Sequence, residues 1–356
     1  MPRLIYLVVA ISTVLLSDTP VAAHGNLLMT GSSVWGAWVF TPDVMLTLLL
    51  VALIYGKGIL NRAAASQPLP VLRCISFYAG LAFIALALQS PIDPLGESLF
   101  FVHQFQHLLL RMVGPLLIAL AWPQGVLVAG MPAWMRRYLL TPLASNEAIR
   151  RVLGVFSSPV VASGFFIGIL YFWEVPRFHN AAVLDDAIHY IMHATMLAAG
   201  LIFWWQVFDR RSDGKSLRYA TRLMMLWLVI LSNILLGAYT TLKTETLYNA
   251  YGLGSRMFGY TPLADEQIGG IIIWIPSSMM SLVALLIVIH MWGRHESRMV
   301  ERQMLSNPSV QVNLISGTAM NQETRLKNQA LARRLATFAA TVFTTVVLIG
   351  MLVAFT

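Results

Sequence analysis

The chain has 356 residues, 57% hydrophobic and only 11% charged, where a soluble domain carries about 25% charged residues. With a mean hydropathy of +0.69, this excludes a water-soluble domain and indicates a polytopic membrane protein. The net charge of +8 calls for no nucleic-acid partner, because the basic residues fall mostly in short loops where orientation signals belong. The lone Cys74 excludes an intrachain disulfide and any CxxC metal motif.

Residues 1–23 read as a cleavable signal peptide. Arg3 supplies a weak positive region, Leu4 to Leu16 is an apolar run too short to span comfortably, and Val21-Ala22-Ala23 is a cleavage site. Cleavage after Ala23 leaves His24 as the first mature residue; the competing reading is an uncleaved signal anchor. A span needs about 20 mostly apolar residues. Eight such segments follow, at about 38–56, 72–90, 102–122, 154–173, 186–207, 222–242, 267–291 and 334–355. The expected fold is therefore all-α, a polytopic membrane helical bundle of about eight transmembrane helices after the signal peptide. Its expected parts are a seven-helix membrane domain over 24–292, a cytoplasmic linker with an amphipathic helix over 293–333, and a last transmembrane helix over 334–356.

A cleaved signal places the mature N-terminus outside. On that topology the inner loops hold 19 of the 24 basic residues, including Arg136, Arg137, Arg150, Arg151, Arg210 and Arg211. The outer loops hold only Arg177, Lys243 and Arg256. This asymmetry supports the orientation. It sorts the histidines as well: His24, His103, His107, His179, His189 and His193 lie outside or in the outer halves of spans, and only His290 and His295 lie at an inner end.

Two pairs stand out. His103 and His107 enter the third span, and His189 and His193 enter the fifth. A four-residue spacing puts both imidazoles of a pair on one helix face, and each pair sits within roughly 10 Å of the outer boundary. If the two spans pack together, all four meet at one depth. Neutral imidazole suits Cu, Zn, Fe and Ni. Met192 and Met196 share the fifth-span face; thioethers favour Cu(I), though methionine is also a general core filler. His179 lies in the preceding loop. A processed His24 would offer an α-amine and an imidazole on the same side. Asp185 and Asp186 are placed to cap the fifth helix. Arg111 continues the third-span stripe about 12 Å below His103. A buried guanidinium needs a partner, and Asn233 and Gln206 are the available polar candidates.

Three stretches carry a family resemblance. SPIDPLGESLFFVHQFQHLLLRMVGPLLIALAWP runs from Ser90 to Pro123, FWEVPRFHNAAVLDDAIHYIMHATMLAAGLIFWWQV from Phe172 to Val207, and DEQIGGIIIWIP from Asp265 to Pro276. In this order they resemble the CtaG family, the caa3-type cytochrome c oxidase assembly factors. The resemblance implies a multi-pass protein of the bacterial plasma membrane that serves maturation of a haem–copper oxidase, with oxidase subunits and a periplasmic copper donor as partners and copper as cargo. It also implies a histidine after the tryptophan that precedes the fifth span. Here Trp173 is followed by Glu174, a carboxylate in its place.

Other functions compete. A copper transporter needs ligands continuing inward, and few follow His107 and Met196 before His290. The histidines of each pair are one turn apart, too close for two haems stacked along the membrane normal; a single-haem redox protein and a metal-free scaffold for oxidase subunits stay open. No nucleophile–base constellation, phosphate loop or pair of catalytic carboxylates appears, so no enzyme activity is expected.

Overall fold

The computed structural model describes residues 38–210, 217–252 and 258–306, with isolated positions between 330 and 341. The predicted signal peptide, His24, most of the polar linker and nearly all of the last predicted span lie outside these residues. Every regular element among the described residues is helical. Six helices are long and apolar enough to cross a membrane, or seven if one bent pair counts as a single span.

In chain order, α1 (Pro42–Ala64) and α2 (Val71–Gln89) are followed by the short α3 (Ile92–Gly96). Helix α4 runs over Phe100–Ala121 and contains a π-type turn at Leu109–Val113. Then come α5 (Gln124–Gly130), short helical turns over 133–145, α6 (Glu147–Val155), α7 (Pro159–Glu174) and α8 (Pro176–Leu184). The remainder is α9 (Asp186–Val207), α10 (Tyr219–Leu242), a 3₁₀ turn at Asn249–Tyr251 and α11 (Pro262–Ser306).

Two boundaries differ from expectation. The predicted span at 154–173 is a pair of helices, α6 and α7, bent by 75°. Pro159 has no N–H to donate and disfavours helical backbone at Ser158, which is extended (ψ 131°). The Phe156 carbonyl freed at the bend accepts a bond from Gln206 Nε2 at 2.6 Å. Helix α11 also runs 45 residues, past the expected end near 291, because Arg, Glu, Met and Gln, good helix formers, follow Gly293.

The described residues form two units, one through Ser281 and one from Leu282. In the first, a core of Val51, Ile54, Phe77, Leu81, Ile84, Leu110, Leu197 and Leu201 joins α1, α2, α4 and α9. Large apolar side chains also lie exposed in rows, such as Leu46, Leu49, Leu50 and Leu53 on α1 and Trp227, Leu228, Leu231 and Leu235 on α10. Such rows are what lipid-facing surface requires. In the second unit, Trp292 Nε1 donates to Glu296 Oε1 at 3.0 Å, and His290 and His295 are exposed.

Helices α1 and α5 meet backbone to backbone through glycines. A Cβ at Gly130 would lie 1.8 Å from the Ile54 carbonyl oxygen, and one at Gly58 would lie 2.0 Å from that of Val126. A single methyl cannot be absorbed there without moving a helix. Gly130→Ala is expected to cost about 1–3 kcal/mol, read as a lowered thermal midpoint of the detergent-solubilised protein; an unchanged midpoint would refute this contact.

Candidate functional site

The site is built on α4, and both ends of that helix are held by charged side chains from elsewhere. The Asp265 carboxylate of α11 accepts from the backbone N–H groups of Phe100 (3.0 Å) and Phe101 (2.9 Å). At the other end, Arg73 of α2 donates to the carbonyls of Ala121 and Trp122, each at 2.8 Å. The charge signs match the helix dipole, anion at the N-terminus and cation at the C-terminus. Gly269 lets α11 lie against Phe100, where a Cβ would sit 2.3 Å from the ring.

Helix α9 packs along α4. Gly200 allows this, since a Cβ there would lie 2.5 Å from the Arg111 carbonyl oxygen, and Trp204 Nε1 donates to the same oxygen at 3.1 Å. The third and fifth predicted spans are thus neighbours, and the two histidine pairs meet. Ring centroids lie 4.4 Å apart for His103–His107, 4.3 Å for His189–His193, 5.1 Å for His103–His189 and 5.7 Å for His107–His193. One nitrogen from each of His103, His107 and His193 falls within 4.8 Å of the others. All four histidines are buried.

Buried polar atoms are almost always hydrogen-bonded, and leaving one bare costs about 1–3 kcal/mol. Here Nε2 of His103, Nε2 of His193 and both ring nitrogens of His107 are buried without a hydrogen-bond partner. A converging set of bare imidazole nitrogens fits a borderline or soft cation.

His179 and Tyr251 explain how His103 presents its lone pair. His179 Nδ1 lies 2.9 Å from the Trp173 carbonyl oxygen, which can only accept. Burial drives the His179 pKa down to about 3, so the ring is neutral and its Nε2 accepts. The partner at Nε2 is the Tyr251 hydroxyl at 2.8 Å, which donates. Burial holds that phenol well above its ordinary pKa, so its one proton is used and its oxygen accepts. His103 Nδ1, 2.6 Å away, therefore donates, and His103 Nε2 is the lone-pair nitrogen. This tautomer relay was not legible from residue spacing, because Tyr251 lies 148 residues from His103.

The other candidates fall in different surroundings. Met192 and Met196 pack in an apolar cluster with Leu170, Trp173, Ala182 and Ile273. Glu174 is buried, and its Oε2 accepts from Tyr248 at 2.9 Å. Arg111, in the π-type turn, donates to Asn233 Oδ1 at 3.0 Å and to the Phe166 carbonyl at 3.2 Å, with its guanidinium 4.1 Å from the Phe166 ring centroid. Asn233 is thus the partner and Gln206 is not. Asp185 caps α9 by accepting from the Ile188 N–H at 3.0 Å.

Carboxylates that spacing did not single out border the cluster. Gln106 Nε2 donates to Asp93 Oδ1 at 2.6 Å, and Glu97 Oε1 lies 3.9 Å from His189 Nδ1. Burial first, then repulsion by Asp186, pushes the Asp93 pKa up to about 7. Burial, then Asp93 and Asp186, pushes Glu97 to about 8.

The family model for the cytochrome c oxidase caa3 assembly factors matches residues 51–295. The chain belongs to that family. The match takes in α4, α8 and α9, and with them every histidine of the cluster. An uncharacterised protein of Mycobacterium leprae is 22% identical over 274 residues, covering 75% of this chain and 41% of the relative. Uncharacterised proteins of Mycobacterium bovis and Mycobacterium tuberculosis are each 23% identical over the same length. The chain thus spans about two-fifths of the length of the curated relatives it matches. No solved structure matches.

The third family stretch, singled out only as a motif, has a structural role. Asp265 caps α4, and Glu266 accepts from the N–H groups of Leu247 and Tyr248, each within 2.9–3.1 Å, while pairing with Lys243. That anchors the loop carrying Tyr248 and Tyr251. Removing the cap with Asp265→Ala bares two buried N–H groups, so a loss of about 2–4 kcal/mol is expected. Asp265→Asn, which keeps one acceptor, should lose about half as much. Denaturation of the purified protein measures both, and equal losses would show that charge rather than acceptor count matters.

Proposed function

We propose that this protein is an assembly factor for haem–copper cytochrome c oxidase and that it carries copper on His103, His107 and His193. The single observation behind the copper reading is the set of buried, converging imidazole nitrogens that have no hydrogen-bond partner. Family membership supports the oxidase as client, and the loop charges support an orientation that turns the cluster to the outer face of the plasma membrane. Three neutral nitrogens suit Cu(I), which tolerates low coordination and needs no anionic ligand. Oxidase subunits would receive the metal, and a periplasmic donor would supply it.

Carriage fits better than transport across the bilayer. Beyond His107 lies a cavity of about 10 Å³, lined by Gln104, His107, Arg111 and Ser277 among others, close to the smallest space that admits one water. The Arg111 guanidinium stands there and repels a cation.

Purified protein reconstituted with Cu(I) is expected to bind it, and His107→Ala combined with His193→Ala to abolish binding. Unchanged copper stoichiometry in that double variant would sink the copper reading, as would a Soret band in the purified protein. In a deletion strain, oxidase copper content should fall. Tyr251→Phe tests the relay: it removes the proton held by His179 and the acceptor that orients His103. A loss of copper affinity of about 10–100-fold is expected, as for other groups that orient a ligand histidine.

A further inference from the structure

A second group of ligands stands beside the first. Asp93, His189 and His193 each offer one atom within 4.8 Å of the others. His193 belongs to this group and to the inner one. The outer group lines a cavity of about 90 Å³, together with Asp43, Glu97 and Asp186. It has room for a cation and several waters. His193 lines this cavity, its Nε2 is buried without a hydrogen-bond partner, and the residue is 7% exposed.

Exposure and ligand chemistry change in step. Asp186 is exposed, Asp93 and Glu97 are half-buried, His189 and His193 are buried, and His103 is fully enclosed. Oxygen ligands thus stand at the mouth and nitrogen ligands inside. Hard carboxylates hold a hydrated cation weakly, and imidazoles hold a dehydrated borderline or soft cation more firmly. Each step inward exchanges water for a ligand on a shared residue.

Local bonds fix the order. Gln106 lies next to His107 on α4, and its Nε2 bridges Asp93 Oδ1 and the Ala87 carbonyl, the latter at 2.8 Å. Glu97 reaches His189 at 3.9 Å. Asp43 does not move freely in this space, because Tyr190 donates to it at 3.1 Å. Asp93, His189 and His193 are therefore the mouth residues that converge on one point.

We propose that Asp93, His189 and His193 form an outer metal site that receives the cation from solution and passes it to His103 and His107, with His193 as the shared ligand that moves with it. This rests on the copper reading of the inner cluster. The transfer involves no redox step: the ion keeps its charge and exchanges Asp93 and His189 for His103 and His107.

Rapid mixing of the full-length purified protein with Cu(I), at fixed buffer affinity, tests it. Asp93→Asn and His189→Gln, each checked for an unchanged thermal midpoint, are expected to fill the inner site at equilibrium but to load about tenfold more slowly, the scale on which a charged cleft raises capture rates. His103→Ala with His107→Ala should keep a weaker site that Asp93→Asn then removes. Wild-type loading rates in both single variants would overturn the outer site while leaving the inner one standing. Loss of all binding in His103→Ala with His107→Ala would overturn it too. No copper on the wild-type protein would overturn both readings.

Discussion

The arrangement depends on how the ends of α4 are satisfied. A helix end leaves four N–H or four C=O groups without intrahelical partners, and hydrocarbon offers no water to take them. Asp265 supplies the acceptors at Phe100 and Phe101, and Arg73 supplies the donors at Ala121 and Trp122. Both are full charges placed where the helix dipole favours them. The caps come from α2 and α11, so they fix α4 along its axis against two other helices. His103 and His107 are three and seven residues from the capped end, and their depth in the bundle follows from that anchor.

The same anchor sets what α4 meets laterally. The π-type turn at Leu109–Val113 begins two residues after His107. Such turns insert an extra residue and occur often at functional sites. Here the turn carries Arg111, whose carbonyl is taken by Trp204 and whose guanidinium is taken by Asn233 and Phe166. Gly200 brings α9 close at this level, which aligns His189 and His193 with the α4 pair.

Sequence periodicity revealed what is local. Spacing showed that each histidine pair shares a face, loop charge put both pairs at one end, and the apolar runs located most of the long helices. What it could not show is carried by contacts far apart in the chain. Tyr251 orients His103 across 148 residues, and Asp265 caps Phe100 across 165; neither has a local signature. Asp93 and Glu97 read as ordinary loop acids until the fold sets them beside His189. The bend between α6 and α7 falls at Ser158-Pro159, inside the stretch 154–173 that was expected to be one span. His179, which the sequence placed in the loop before the fifth span, lies on α8; both of its nitrogens are committed, and its contribution is the direction of a proton.

A carrier must release what it binds, and the charge layout bears on how. Carboxylates lie at the mouth, neutral imidazoles lie next, and the Arg111 guanidinium closes the far side, held by Asn233 and the Phe166 carbonyl. On the proposed copper reading, a cation among the imidazoles would be repelled by Arg111 from beneath, and Asp93 and Glu97, whose pKa values are pushed up to about 7 and about 8, would attract it toward the mouth where they are ionised. The proposed inner site would therefore bind through nitrogen donors against an opposing field, which would limit its affinity without loosening its geometry. Replacing Arg111 by a neutral residue would remove that opposition, but it would also leave Asn233 Oδ1 without its donor in the bundle. Keeping the charge and satisfying it with neutral acceptors and a ring holds the helices together. On the proposed copper reading, loading and delivery would share one opening, so donor and acceptor would use the mouth in turn.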